Sequence, residues 1–147
     1  MENKSFAVTI EVLQSPQDVF KRLTQDVAKW WGGPDLTGST QKLNDEFTIQ
    51  HPGAHYSKQK IETLIPNEKL IWLVTESTLD WLQKDKQEWE NTKMIFELSI
   101  KGGQTVLQFT HEGLVPEKEC YLLCRDGWNT VIKNYLFFLI TEDRSQF

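Results

Sequence analysis

The chain has 147 residues, 39% of them hydrophobic and 25% charged, enough for one domain over residues 1–147 with a core of its own. Its 21 acidic residues against 16 basic ones leave a net charge of −5, which argues against nucleic acid and anionic membrane surfaces as partners. The start, MENKSFAVTIEV, has no apolar signal core, and the longest apolar run, Tyr135 to Ile140, is too short to span a bilayer, so a cytoplasmic protein without membrane insertion is expected.

The first element is a strand, because Phe6, Val8, Ile10 and Val12 alternate with Ala7, Thr9 and Glu11. A helix follows, with Ser15 as its N-cap, Pro16 at its first position and Val19, Phe20 and Leu23 as its apolar face. A second short helix is expected from Thr24 to Trp31, ended by Gly32 and Gly33. From Leu36 to Glu112 the chain reads as strand after strand. Phe47, Ile49 and His51 share one face, HYSKQKIETLI and KLIWLVTES flank the turn PNEK, and a hairpin turns at Lys101, Gly102 and Gly103. In its arms Met94, Phe96, Leu98 and Ile100 share one face, as do Leu107, Phe109 and His111. The charged stretch from Leu79 to Asn91 fits either a hairpin extension or a short helix, and its pattern does not choose.

Pro116 opens the last element, a long helix over Glu117 to Glu142 in which Cys120, Tyr121, Cys124, Trp128, Val131, Ile132, Tyr135, Phe138 and Leu139 recur at steps of three and four. Gly127 interrupts it, at about 1 kcal/mol against Ala unless close packing or a bend compensates. Cys120 and Cys124 fall on one helix face, where a disulfide is not expected and a reducing compartment fits. Strands in succession without helical crossovers pair antiparallel, and only the last helix is long enough to cover their apolar face. A curved sheet wrapped around one long helix, with two short helices after the first strand, is therefore the expected α+β fold.

Three stretches, SPQDVFKRLTQDVAKWWG, TKMIFELSIKGGQTVLQFTHEGL and CRDGWNTVIKNYLFFL, resemble the START-like (SRPBCC) superfamily with its helix-grip fold, in the branch similar to activators of the heat-shock-protein ATPase. The resemblance covers about Phe6 to Thr141. It implies a pocket between sheet and C-terminal helix, although the aromatic residues in question fill a solid core equally well. On this reading Trp31, Phe47, Trp72, Phe96, Phe109, His111, Tyr121, Cys124, Trp128 and Ile132 line the pocket. The ligand is a small hydrophobic or aromatic molecule, lipid-like or polyphenol-like, oriented by His111 or Tyr121.

Two alternatives accompany it. One is a co-chaperone-like interaction module or a homodimer, with exposed Trp81 and Trp89 meeting the partner; the other is a cyclase- or hydrolase-type enzyme with His111 as its base. No metal-binding motif or phosphate-binding glycine loop occurs, and no cofactor is expected.

Overall fold

In β1 (Phe6–Val12) the alternate residues Phe6, Val8, Ile10 and Val12 are buried and those between them exposed, as a half-buried strand requires. The computed structural model describes residues 4–147. Helix α1 (Pro16–Gln25) begins where Ser15 Oγ accepts the Asp18 N–H at 3.1 Å, and it buries Val19, Phe20, Leu23 and Thr24. Because α1 runs on to Gln25, the second helix is shorter than expected: α2 is the single turn Val27–Trp30. Gly32 and Gly33 follow with φ of +83° and +52°, in the left-handed region, and a Cβ on Gly32 would lie 2.9 Å from Ile49 Cδ1. The glycine pair lets the chain reverse tightly against β3 directly after Trp31.

The remaining strands are β2 (Leu36–Gly38), β3 (Glu46–His51), β4 (His55–Ile65), β5 (Lys69–Leu79), β6 (Lys93–Lys101) and β7 (Gln104–Glu112). They form one curved antiparallel sheet in the order β1-β7-β6-β5-β4-β3-β2, with β1 joined to β7 from Phe6 opposite His111 to Val12 opposite Thr105. Register shifts between Lys58 and Gln59 and between Ile61 and Thr63 mark irregularities where β4 meets β5, the kind of feature that bends a sheet. The C-terminal helix, 22 residues long (121–142), comprises α3 (Tyr121–Thr130), a π-helical segment (Val131–Leu136) and α4 (Phe137–Glu142). Trp128 carries it onto β7, with ring centroids 4.6 Å from Phe109 and 6.0 Å from His111. This is the helix-grip α+β architecture. Among the described residues no helix is long and apolar enough to cross a membrane.

Several expectations are corrected. The C-terminal helix starts at Tyr121 rather than just after Pro116, because residues 116–120 form turns. Their backbone is held from outside: the Glu88 carboxylate accepts the N–H groups of Glu119 and Cys120, each at 3.0 Å. Glu119 in turn accepts the N–H groups of Gln83 and Lys84, so it caps the insert, not the helix. The insert itself is neither hairpin nor helix but a run of turns between Leu79 and Lys93. Cys120 and Cys124 are joined in a disulfide, which their Cα separation of 5.6 Å at the helix start permits. That pairing removes the ground for expecting a reducing compartment. Gly127 is exposed, with open space where a Cβ would stand, so close packing does not explain it.

Candidate functional site

Between the sheet and the C-terminal helix the aromatic side chains touch one another in a continuous series. Trp30 stacks on Trp72 and Trp72 on Trp31, with interplanar angles of 14° and 12°. Trp31 meets Trp128 at 5.1 Å, and Trp128 stacks on Trp89 at 6.0 Å. Phe47, Phe96 and Phe109 pack edge-on or tilted against this series. Of the expected lining residues, Trp31, Phe47, Trp72, Phe96, Phe109, His111 and Trp128 are thus brought together. Cys124 and Ile132 lie one turn before and after Trp128 on the buried helix face, while Tyr121 is only partly buried at the helix start. Grooves that open on the surface are lined by other residues; among them are one beside α2 and β2 (Val27, Leu36, Thr40, Asp45) and one along the C-terminal helix (Asn134, Tyr135, Phe138).

His111 is fully buried, and its hydrogen bonds fix its protonation. Thr92 Oγ1 donates its one proton to the Trp89 carbonyl at 2.6 Å, so His111 Nε2–H must donate to Thr92 Oγ1 at 2.9 Å. On the other side, Trp128 Nε1–H donates to His111 Nδ1 at 3.0 Å. Both ring nitrogens are occupied in the neutral ring, and burial pushes its pKa down to about 3. A base with no free nitrogen takes no proton from a substrate. In this arrangement His111 therefore anchors the helix to the sheet and the insert rather than acting as a general base.

Other members of the site are not in the expected set. On β4, His55, Ser57, Gln59 and Ile61 alternate onto the inner face, with Ser57 opposite Ser77 and Gln59 opposite Val74 of β5 and Phe47 of β3. Trp31 contacts the rings of Phe47, His55 and Trp72, on three successive strands, and so lies over the patch that holds Ser57 and Gln59. His55 Nε2 shares a 2.7 Å hydrogen bond with Ser57 Oγ, and burial lowers its pKa to about 4, so this ring is also neutral at pH 7. Trp89, expected to be exposed, is only 6% exposed because its ring is wedged between His55, His111 and Trp128; Trp81 is 38% exposed.

The chemistry of this patch lies in what it leaves unmet. Gln59 Oε1 and Nε2, Ser77 Oγ, Trp72 Nε1 and Trp89 Nε1 are all buried without a hydrogen-bond partner. Each such group costs about 1–3 kcal/mol, and native interiors keep few of them. Outside this patch, only Gln14 Oε1 is in the same condition among the described residues. Among those residues no three His, Cys, Asp or Glu side chains converge as a metal site requires.

Comparison with known proteins places this geometry. The model of a family described as Activator of Hsp90 ATPase homolog 1-like protein matches residues 14–136. The chain belongs to that family. A search of curated proteins finds no match. Among solved structures, the Aha1 dimer from Colwellia psychrerythraea is similar over 94% of this chain and 96% of its own, at 21% identity and a TM-score of 0.74. CalU16 from Micromonospora echinospora is similar over 95% of this chain and 77% of its own, at 15% identity and a TM-score of 0.66. DynU16, described as a putative protein in the dynemicin biosynthetic locus, has the same TM-score at 13% identity, covering 99% of this chain and 52% of its own. At these identities the likeness is one of fold alone. The Activator of Hsp90 ATPase homolog 1-like family thus supplies the scaffold, and function rests on the residues within it.

Proposed function

We propose that this chain is a binding protein that holds a small hydrophobic or aromatic molecule between the sheet and the C-terminal helix. The observation that carries this reading is the set of buried, unpartnered polar atoms on Gln59, Ser77, Trp72 and Trp89. A core built only for stability would replace Gln59 and Ser77 by apolar residues, whereas a pocket keeps a few polar groups among apolar walls to orient what it binds. Trp31 roofs the patch from a turn next to two glycines, on the kind of segment that can open. Native mass spectrometry of freshly purified protein, followed by titration with a panel of lipids and flavonoids, tests it. A retained molecule, or saturable binding that weakens in Trp31→Ala, is the expected result; a bare protein that responds to none of the panel overturns the reading.

A second reading, pairing with another copy of this chain, is favoured by Leu122 and Leu123. Both are exposed at the helix start to which Glu119 ties the insert bearing Trp81. The dimeric state of the similar Colwellia psychrerythraea protein supports it. Sedimentation at two concentrations decides: a dimer in the wild type and a monomer in Leu122→Glu would support the pairing, and a monomer at both concentrations would sink it.

A further inference from the structure

We infer that the Cys120–Cys124 disulfide is a reversible redox site, opened and closed by small thiols of the glutathione class, and that opening it loosens the charged insert from the start of the C-terminal helix. The inference stands apart from the binding reading above.

The bond joins no two distant segments: only Tyr121, Leu122 and Leu123 lie between its ends. The stabilisation a disulfide gives by constraining the unfolded chain grows with the loop it closes, so a ring this short gains less of it than a long one. The pair is better suited to reopening. The Cys124 N–H donates to the Cys120 carbonyl at 2.9 Å, a helical hydrogen bond that keeps the two residues one turn apart whether or not their sulfurs are joined. The opened thiols therefore stay adjacent, and closing the bond again needs no search along the chain.

Access is one-sided. Cys120 is fully buried and Cys124 is 9% exposed, so an incoming thiolate meets the Cys124 sulfur. Attack there forms a mixed disulfide at Cys124 and breaks the bond to Cys120, which leaves as a thiolate and takes up a proton. A second thiol attacks the small-molecule sulfur of the mixed disulfide and releases Cys124 in the same way. One protein disulfide and two small thiols become two protein thiols and one small-molecule disulfide. Two electrons pass to the protein, and oxidised glutathione takes them back by the reverse steps.

The bond secures the junction of helix and insert. The Glu88 carboxylate, buried in the insert, accepts the N–H groups of Cys120 and Glu119, and Glu119 accepts those of Gln83 and Lys84. While ionised, the Cys120 sulfur sets a second negative charge in the turn that Glu88 holds, and without the bond the first helical turn is free to fray as helix ends do. Trp89 follows Glu88 in the insert and is wedged between His55, His111 and Trp128, so loosening at this junction reaches the rings behind it.

The experiment equilibrates the whole chain in buffers of reduced and oxidised glutathione at set ratios. Free thiols are counted by alkylation and mass spectrometry, and amide hydrogen exchange is followed in the same samples. In excess reduced glutathione both cysteines are expected as thiols, with the amides of Gln83, Lys84, Glu119 and Cys120 exchanging at least about ten-fold faster and those of β1 and β7 unchanged. The double variant Cys120→Ala, Cys124→Ala is expected to show the fast exchange in every buffer; should it fail to fold, the wild type in dithiothreitol supplies the open state and the same outcomes apply. A bond that stays closed in excess reduced glutathione overturns the redox site. Free thiols with unchanged exchange overturn the link to the insert. Faster exchange in β1 and β7 as well marks a staple for the whole fold and overturns both.

Discussion

A histidine enclosed between two indole rings keeps one ring proton, and at His111 the hydrogen bonds say which nitrogen holds it. This has a consequence for acid stability. The folded pKa, about 3, lies below the ordinary histidine value of 6.5. As pH falls through 6.5 the unfolded chain takes up a proton that the folded chain refuses. Stability is therefore fully present above 6.5 and is lost downward toward pH 3, by about 1.4 kcal/mol per pH unit for this one group. His55, lowered to about 4, adds a loss of the same sign over the upper part of that window. Urea unfolding at pH 7 and pH 5 should show the wild type losing about 2 kcal/mol more over that interval than His111→Gln. Equal losses in the two proteins would show that His111 is protonated in the fold. At this scale the sequence was half legible. Phe109 announces its burial by alternation with Gln108 and Thr110, whereas Trp72 lies between Ile71 and Leu73, and the occupied state of His111 depends on Thr92 and Trp128, which no local pattern pairs with it.

At the scale of elements, β1, β3, β6 and β7 were readable because each carries an apolar residue at every second position, and α1 because Ser15 and Pro16 mark its start. The start of the C-terminal helix was not. Pro116 and the acids after it are the usual signals, yet Glu119 spends its carboxylate on Gln83 and Lys84, and Glu88 reaches across to the backbone of Glu119 and Cys120. Contacts between segments some thirty residues apart decide both the insert and the helix boundary, and periodicity does not register them. The inner face of β4 was legible in principle: in HYSKQKIETLI the residues Tyr56, Lys58, Lys60 and Glu62 share one face, which leaves Ser57, Gln59 and Ile61 to the other. With so few apolar residues the strand did not say which face is buried. One prediction belongs here. Gly127 is helical, exposed and free of neighbours at its Cβ position, so Gly127→Ala should stabilise the protein by about 1 kcal/mol in urea unfolding. A loss of stability would mean that the glycine is needed for the path of the helix into its π-helical segment.

Across the whole molecule, one buried residue works against stability. The interior is a single cluster from β1 to α4, and Gln59 sits in it with both amide atoms unmet. Replacing it with leucine removes those atoms from the core, so Gln59→Leu should raise the unfolding free energy of the ligand-free protein by about 1 kcal/mol or more, read as a higher thermal midpoint. A lower midpoint would show that the amide is satisfied in solution and contributes to the core.

The pairing of β1 with β7 also sets an order of assembly. Among the described strands, β1 is made before the others of this sheet and pairs with residues 105–111, almost the last part of the sheet to be made. With synthesis at about 5–20 residues per second, Phe6, Val8, Ile10 and Val12 wait roughly 5–20 s for the strand that covers their edge. A chain halted before β7 has made every other strand but has no partner for either β1 or the free side of β6, so nascent chains of that length are the ones most exposed to edge-to-edge aggregation.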